Sequence, residues 1–216
     1  MAELTFNRHL AVPESGKGPG VLVLHAWWGL NDFMRSFCDQ LAQAGFVALA
    51  PDLFSGKVAR NVEEAQQLVS LSNEDQDMPK IVQSALEDLG KHPAVSGKGL
   101  GTVGFSFGGY WALWLAVQQP DKVRAVTIFY STSEGDFKRS KAAFLGHFAE
   151  KDPYEPDEGV RHLEKDLKDA NRPTTFYTYP GTGHWFFEKD RQEAYRPQAA
   201  QLAWERTRDF LHDQLA

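Results

Sequence analysis

The sequence GFSFG at residues 104–108 lies between a short buried strand and an apolar helix. Upstream, residues 101–103 end a strand-like run, and downstream residues 109–117 are almost wholly apolar, as in a helix covered on most sides. A serine at such a junction sits on a sharp turn that exposes its hydroxyl beside a helix N-terminus. Gly104 and Gly108 fit this turn because a Cβ at either position would collide with nearby backbone. The pattern predicts that Ser106 is a nucleophile on a strand–turn–helix elbow.

Strand-like and helical patterns alternate on both sides of this junction. Apolar runs typical of strands occur at residues 21–24, 46–50, 125–130, 142–147 and 174–179. Patterns typical of helices occur at 33–44, 62–71, 78–89, 158–170 and from Pro197 onward. Strands without polar alternation are buried on both faces, which requires a parallel sheet between two layers of helices. The prediction is a single α/β domain over residues 1–216, with a doubly wound, mostly parallel sheet and no separate lid domain.

The composition disfavours several classes of protein. A net charge of −6 disfavours a nucleic-acid partner, which requires a basic face. The longest apolar run, residues 110–117, is too short for a membrane span, and the N-terminus has no signal pattern. We therefore expect a cytoplasmic chain that does not associate with membranes. The single cysteine, Cys38, excludes an internal disulfide and a cysteine-based zinc site, and is expected to be buried. The histidines lack ligand spacing, so no metal or organic cofactor is expected.

The carboxyl ends of parallel strands lie at one edge of a sheet, and such folds carry their chemistry there. A serine hydroxyl needs a neighbouring base, and His184 follows the last predicted strand. His25, at the end of the first strand, is interpreted as structural. These positions make His184 the predicted base.

A carboxylate must orient that imidazole. Asp152, just beyond the strand at 142–147, is the best candidate, and the alternatives are Asp157, Asp136 and Glu150. The resulting order of serine, aspartate and histidine along the chain is that of α/β hydrolases.

Two backbone N–H groups are expected to stabilise an oxyanion, one on Phe107 and one on Trp27. Aromatic side chains are expected to line the substrate pocket, namely Trp28, Phe54, Tyr110, Trp185 and Phe186. About half of the aromatic residues near this site are expected to serve packing only. Those left exposed would favour uncharged acyl or aryl groups, although an exposed aromatic surface would serve equally as a homodimer contact. The segment 55–79 is expected to cover part of the site.

Six segments resemble the dienelactone hydrolase family of α/β hydrolases over nearly the whole chain. They are HAWWGLND at 25–32, APDLFSG at 50–56, GFSFGGYWA at 104–112, GHFAEKDPYEP at 146–156, YPGTGHWF at 179–186 and AWERTRDFL at 203–211. The resemblance implies catalytic positions at Ser106, Asp152 and His184, with backbone donors at Trp27 and Phe107.

This chain departs from the members of that family that open dienelactones. Those members typically carry a cysteine at the position of Ser106 and a thiol-activating glutamate at the position of Ala26. Both changes fit a hydroxyl that gives its proton to His184 during attack. Those members also hold the substrate carboxylate with arginines, one of them a few residues past the histidine. Glu188 lies in that stretch here and is expected to repel an anionic substrate.

The residues therefore predict a serine carboxylesterase-like hydrolase that acts on small esters through an acyl-enzyme. A hydrolase of dienelactones or other lactones with the same triad is one alternative. A non-catalytic protein that binds a ligand on the same fold is the other, because a fold does not guarantee an activity.

Overall fold

The computed structural model describes residues 7–75 and 78–216, and a single seven-stranded sheet forms the centre of that part of the chain. The strands are β1 (Arg8–Ala11), β2 (Gly18–Leu24), β3 (Val47–Pro51), β4 (Val95–Phe105), β5 (Val123–Phe129), β6 (Ala143–Lys151) and β7 (Thr174–Gly183). The helices are α1 (Asp32–Gln43), α2 (Val62–Asp75), α3 (Met78–Lys91), α4 (Phe107–Gln118), α5 (Asp157–Asp169) and α6 (Pro197–Leu215). The strand order is β1-β3-β2-β4-β5-β6-β7.

Strands β2 to β7 pair in parallel, and β1 pairs antiparallel with β3. The predicted α/β fold with a mostly parallel sheet is confirmed. The six predicted strands correspond to β2 through β7, while β1 was not predicted. Its sequence, RHLA, is short and mostly solvent-accessible, so it lacks the apolar run that marks a strand buried on both faces.

The two faces of the sheet are covered by different helices, which is what a doubly wound sheet requires. In β2, Val21 and Val23 contribute to an apolar cluster that also contains residues of α1 and α6. The alternating residues Leu22 and Leu24 contribute to a second cluster with α3, α4 and α5. Each fully buried side chain of this size contributes about 1.5–3 kcal/mol to folding. Cys38, on α1, is buried as expected, and burial raises the pKa of its thiol.

Helix α4 is apolar on all sides, with eight of its twelve residues buried. It follows β4, the central strand of the sheet order, and its first residue comes directly after Ser106. The carboxyl ends of β2, β4, β5, β6 and β7 therefore lie at the same edge as the N-terminus of α4. Within residues 7–75 and 78–216, none of the helices combines the length and apolar character that a bilayer crossing needs.

Candidate active site

Ser106 occupies a sharp turn between β4 and α4. Its backbone has φ +47° and ψ −114°, a conformation that costs a non-glycine residue about 1–3 kcal/mol. The turn is held by two hydrogen bonds, in which Ser106 N–H donates to the Phe129 carbonyl at 2.9 Å and Gly109 N–H donates to the Ser106 carbonyl at 2.8 Å. The surrounding structure thus imposes the strained backbone that presents the hydroxyl.

The glycines on either side of Ser106 are required by close backbone contacts. A Cβ on Gly104 would lie 2.4 Å from the Gly108 carbonyl oxygen, and a Cβ on Gly108 would lie 2.1 Å from the Leu24 carbonyl oxygen. Real Cβ atoms essentially never approach that closely, and the atoms concerned are backbone. The steric reason proposed for these glycines from the sequence is therefore present in the structure.

Ser106, His184 and Asp152 are joined by two hydrogen bonds. The His184 Nε2 atom lies 2.9 Å from Ser106 Oγ, and His184 Nδ1 lies 2.7 Å from Asp152 Oδ2. When Nδ1–H donates to the carboxylate, Nε2 is left as an acceptor for the serine hydroxyl. The side chains of His184 and Asp152 are each 3% exposed, which shields this chain of contacts from water. The three residues selected from the sequence thus meet above the sheet edge.

The Asp152 carboxylate is held from its other side by the turn that follows β6. Its Oδ1 accepts the N–H of Tyr154 at 2.9 Å and that of Glu155 at 3.1 Å. These donors fix the carboxylate so that Oδ2 faces the imidazole.

The three alternatives to Asp152 lie in other environments. Glu150 accepts the Gly181 N–H at 3.0 Å, Asp157 begins α5 next to Arg161, and Asp136 precedes a short 3₁₀ helix. Among the described hydrogen bonds, that of Asp152 is the one that joins a carboxylate to His184.

The backbone N–H groups of Trp27 and Phe107 lie on the two segments expected to bind an oxyanion. Phe107 is the first residue of α4, where N–H groups have no partner within the helix. In the part of the chain that the structure describes, neither of these N–H groups donates to a backbone or side-chain acceptor. Both remain available to a ligand.

His25 shapes the loop that carries Trp27. It is fully buried, and desolvation lowers its pKa to about 4, so the ring is neutral at pH 7. Its Nε2 accepts the Leu53 N–H at 3.0 Å, and its Nδ1–H donates to the Ala26 carbonyl at 2.7 Å. Both ring nitrogens hold backbone, which supports the structural interpretation of this histidine.

The structure corrects part of the pocket prediction. Phe186 has no exposed surface, and Trp28 and Phe54 are each 2% exposed. These three side chains belong to the two apolar clusters, so they pack in the core beneath the site and do not line a pocket for a substrate. Trp185 is partly buried and its ring contacts His184. Tyr110 is 44% exposed and its ring contacts Trp111, so its place in the pocket stays a prediction.

Tyr154 is a residue of this site that sequence reasoning missed. Its side chain is 46% exposed, and its ring centroid lies 4.9 Å from that of His184. Its ring also contacts Trp27 at 5.5 Å and Trp185 at 5.2 Å. The signal that could have identified it is its position two residues after Asp152, where side chains emerge beside the triad.

The structure also corrects the expectation for Glu188. This residue is fully buried, and its Oε1 accepts the hydroxyl of Tyr130 at 2.7 Å, while its Oε2 has no hydrogen-bond partner. Burial raises the pKa of Glu188 to about 8, so the carboxyl is mostly protonated at pH 7. A buried and neutral carboxyl does not repel an anionic substrate. Tyr130 in turn contacts the His184 ring at 4.7 Å between centroids.

Comparison with known proteins gives the chain a family context. A family model described as "Dienelactone hydrolase family" matches residues 6–215. "Protein usf" of Aquifex pyrophilus is 32% identical over 96% of this chain and 93% of its own length. A Bradyrhizobium protein named "Probable 2-oxo-3-(5-oxofuran-2-ylidene)propanoate lactonase" is 32% identical over 91% of this chain and 84% of its own length.

A similar fold occurs in a solved structure. The crystal structure of a dienelactone hydrolase-like promiscuous phosphotriesterase from metagenomic libraries superposes with a TM-score of 0.83 at 23% identity. The match covers 94% of this chain and 89% of that chain.

Proposed function

The chain belongs to the dienelactone hydrolase family of hydrolases, and from this membership we propose that it cleaves carboxylic esters through an acyl-enzyme on Ser106. The observation that carries the proposal is the continuous contact from Ser106 Oγ through His184 to Asp152. A hydroxyl becomes a competent nucleophile at neutral pH when such a base takes its proton.

The geometry supports a two-step reaction. In the first step Ser106 Oγ bonds to the ester carbonyl carbon while His184 Nε2 takes the hydroxyl proton. The tetrahedral intermediate collapses with loss of the alcohol, which receives that proton from His184, and the acyl group stays on Ser106. In the second step water attacks the acyl-enzyme, with His184 again as base, and the carboxylic acid leaves. Asp152 fixes the ring and stabilises its cationic form throughout.

The free N–H groups of Trp27 and Phe107 are proposed to bind the oxyanion in both steps. Donors of this kind act on charge that develops only in the transition state, so they lower the barrier without tightening substrate binding. The loss of one such donor typically raises the barrier by about 3 kcal/mol.

Small uncharged acyl or aryl esters are the proposed substrates. The described hydrogen bonds and ring contacts of the triad and of Trp27, Tyr154 and Trp185 include no cationic side chain. Arg191 stacks on the neighbouring Trp28 ring at 4.1 Å, but it is paired with Asp190 at 2.9 Å and so does not offer a free clamp for a substrate carboxylate.

Hydrolysis of a lactone is the second candidate. It is favoured by the name of the Bradyrhizobium relative, which is that of a lactonase and which is 32% identical to this chain. A lactone is a cyclic ester, and the same triad would open it by the same two steps, with the alcohol remaining attached to the acyl group.

A single set of assays tests these proposals. Wild type is assayed with p-nitrophenyl acetate and butyrate, and with dihydrocoumarin as a lactone. We expect Ser106→Ala to abolish turnover of whichever compounds the wild type hydrolyses, with an unchanged circular dichroism spectrum. The matched control is Ser15→Ala, a change to an exposed serine on the β1–β2 turn, which should retain full activity.

Covalent trapping provides a readout that does not require turnover. With a phosphonate p-nitrophenyl ester, Ser106 Oγ should displace p-nitrophenol from phosphorus, so the peptide that contains Ser106, and no other, gains the mass of the phosphonyl group. Wild type that neither hydrolyses any of these compounds nor forms the adduct would leave the non-catalytic binding interpretation in place and refute the proposed activity.

A further inference from the structure

Three aromatic rings form a continuous rim beside the triad. Tyr154, Trp27 and Trp185 contact one another with centroid separations of 5.2–5.9 Å. Tyr154 is the exposed member at 46%, and the two indoles are partly buried against it. We propose that this aromatic rim, with Tyr154 as its outer face, selects esters that carry a planar aromatic group. This proposal rests on the proposed esterase function.

Each ring of the aromatic rim is attached to an element of the reaction chemistry. Trp27 supplies one of the two N–H groups proposed for the oxyanion, Trp185 directly follows His184, and Tyr154 comes two residues after Asp152. The Tyr154 N–H donates to Asp152 Oδ1 at 2.9 Å, so the backbone that carries this ring is tied to the triad carboxylate. The Tyr154 ring centroid lies 4.9 Å from that of His184, whose Nε2 is 2.9 Å from Ser106 Oγ, so a group stacked on the rim lies beside the proposed base.

The packing within the rim favours a flat ligand over a cation. Aromatic faces attract both aromatic rings and quaternary ammonium groups, but an ammonium is bound well when several faces enclose it. Here the rings are in contact with one another, at interplanar angles of 77° between Trp27 and Tyr154 and 46° between Tyr154 and Trp185. Because the rings pack against one another, they do not enclose a cation on several faces. The exposed part of the rim is the outer surface of the Tyr154 ring, and another aromatic ring can pack on it by its face or edge.

The carboxyl group of the residue that follows Tyr154 in the chain also disfavours an anionic ligand. Glu155 follows Tyr154, accepts the hydroxyl of Thr132 at 2.6 Å and is partly buried. Burial raises the pKa of Glu155 to about 7, so this carboxyl carries a partial negative charge at neutral pH. An aromatic ring without a negative substituent avoids that charge.

The test compares phenyl acetate with cyclohexyl acetate, because the two alcohols have similar size and one is planar and aromatic. Each ester is assayed with wild type, Tyr154→Phe and Tyr154→Leu. We expect Tyr154→Leu to raise the KM for phenyl acetate about threefold to tenfold. The same change should alter the KM for cyclohexyl acetate less than twofold. Tyr154→Phe, which keeps the ring, should keep the lower KM for phenyl acetate that Tyr154→Leu loses.

Equal changes in KM for the two esters would overturn the inference, because they would assign Tyr154 a general packing role. A larger effect of Tyr154→Leu on acetylcholine than on phenyl acetate would overturn it in favour of a cationic ligand. In both cases wild-type turnover would leave the esterase proposal intact.

A binding measurement separates the two proposals in the other direction. In Ser106→Ala, phenyl acetate should quench the fluorescence of the rim indoles at lower concentration than cyclohexyl acetate, and Tyr154→Leu in that background should remove the preference. If Ser106→Ala binds phenyl acetate more tightly than cyclohexyl acetate while wild type hydrolyses neither ester, the esterase proposal is refuted and the proposed selectivity of the rim is supported. Equal affinity of Ser106→Ala for the two esters would refute the proposed selectivity of the rim.

Discussion

Glu188→Gln is expected to stabilise the protein in a pH-dependent manner. The wild-type carboxyl has no exposed surface, takes one hydrogen bond from Tyr130 and has an unpaired Oε2 atom. Burial raises its pKa from an ordinary value of 4.5 to about 8, Asp190 adds to that shift, and Tyr130 and Arg191 oppose it. A glutamine has the shape of the protonated acid and can still accept the Tyr130 hydroxyl.

The sign and size of the effect follow from proton linkage. Above pH 4.5 the carboxyl ionises in the unfolded chain but stays protonated in the folded one until about pH 8, so unfolding releases a proton. Wild type therefore loses stability as the pH rises through this window, by up to about 1.4 kcal/mol for each pH unit. Structural relaxation around the buried group reduces that limit. We expect the free energy of unfolding of Glu188→Gln, relative to that of wild type, to increase by about 2–3 kcal/mol between pH 5 and pH 8.

Urea unfolding followed by tryptophan fluorescence, at each pH unit from 5 to 8, measures this difference. The matched control is Glu193→Gln, a change to an exposed glutamate five residues away, which should leave the difference from wild type constant with pH. An advantage of Glu188→Gln that does not vary with pH, or a variant less stable than wild type at pH 8, would refute the reasoning.

Two further changes test the geometry of the triad and of the elbow. Asp152→Asn is expected to lower kcat about 10⁴-fold with little change in the melting temperature, because the amide cannot hold His184 in the required tautomer; a loss below tenfold in an esterase assay would contradict this role. Gly108→Ala would place a Cβ 2.1 Å from the Leu24 carbonyl oxygen. It is expected to cost more than about 3 kcal/mol in urea unfolding or to prevent soluble expression, and wild-type stability would show that the elbow can relax.

The sheet could be predicted from local sequence wherever strands are buried on both faces. The run at residues 21–24 is fully apolar because Val21 and Val23 pack on one helical layer and Leu22 and Leu24 on the other. Strand β1 could not be predicted this way. It is an edge strand with one buried residue among its four, and it exists because its backbone pairs with β3, some forty residues away.

The three residues of the proposed triad could be predicted because each follows a recognisable strand, and the elbow glycines mark the position of Ser106. The environment of the aromatic residues could not be predicted, because irregular loops have no fixed period of side-chain direction. Phe186 and Trp185 are neighbours, yet the first has no exposed surface and the second lies beside His184. The positive φ of +66° at Trp185 turns the chain between them, and no local pattern signals that turn.

The burial of Glu188 has a similar origin. A glutamate four residues after His184 reads as a solvent-exposed charge, because glutamate is seldom fully buried. Its position depends on a turn in which Glu188 N–H donates to the Trp185 carbonyl at 2.9 Å. It also depends on Tyr130, which directly follows β5 and whose hydroxyl donates to the Glu188 carboxyl. That contact spans 58 residues, beyond the reach of any window of sequence.

The backbone at residue 106 is held by its glycine neighbours and by two main-chain hydrogen bonds, so the turn itself does not depend on the side chain at this position. Exchanging oxygen for sulfur at the elbow would need one codon change and no remodelling of the turn. A glutamate at position 26 is a different matter, because Ala26 has no exposed surface and a longer acid would have to displace its neighbours. A thiol at residue 106 would therefore fit the existing turn, whereas an acid at residue 26 would require the buried loop around it to move.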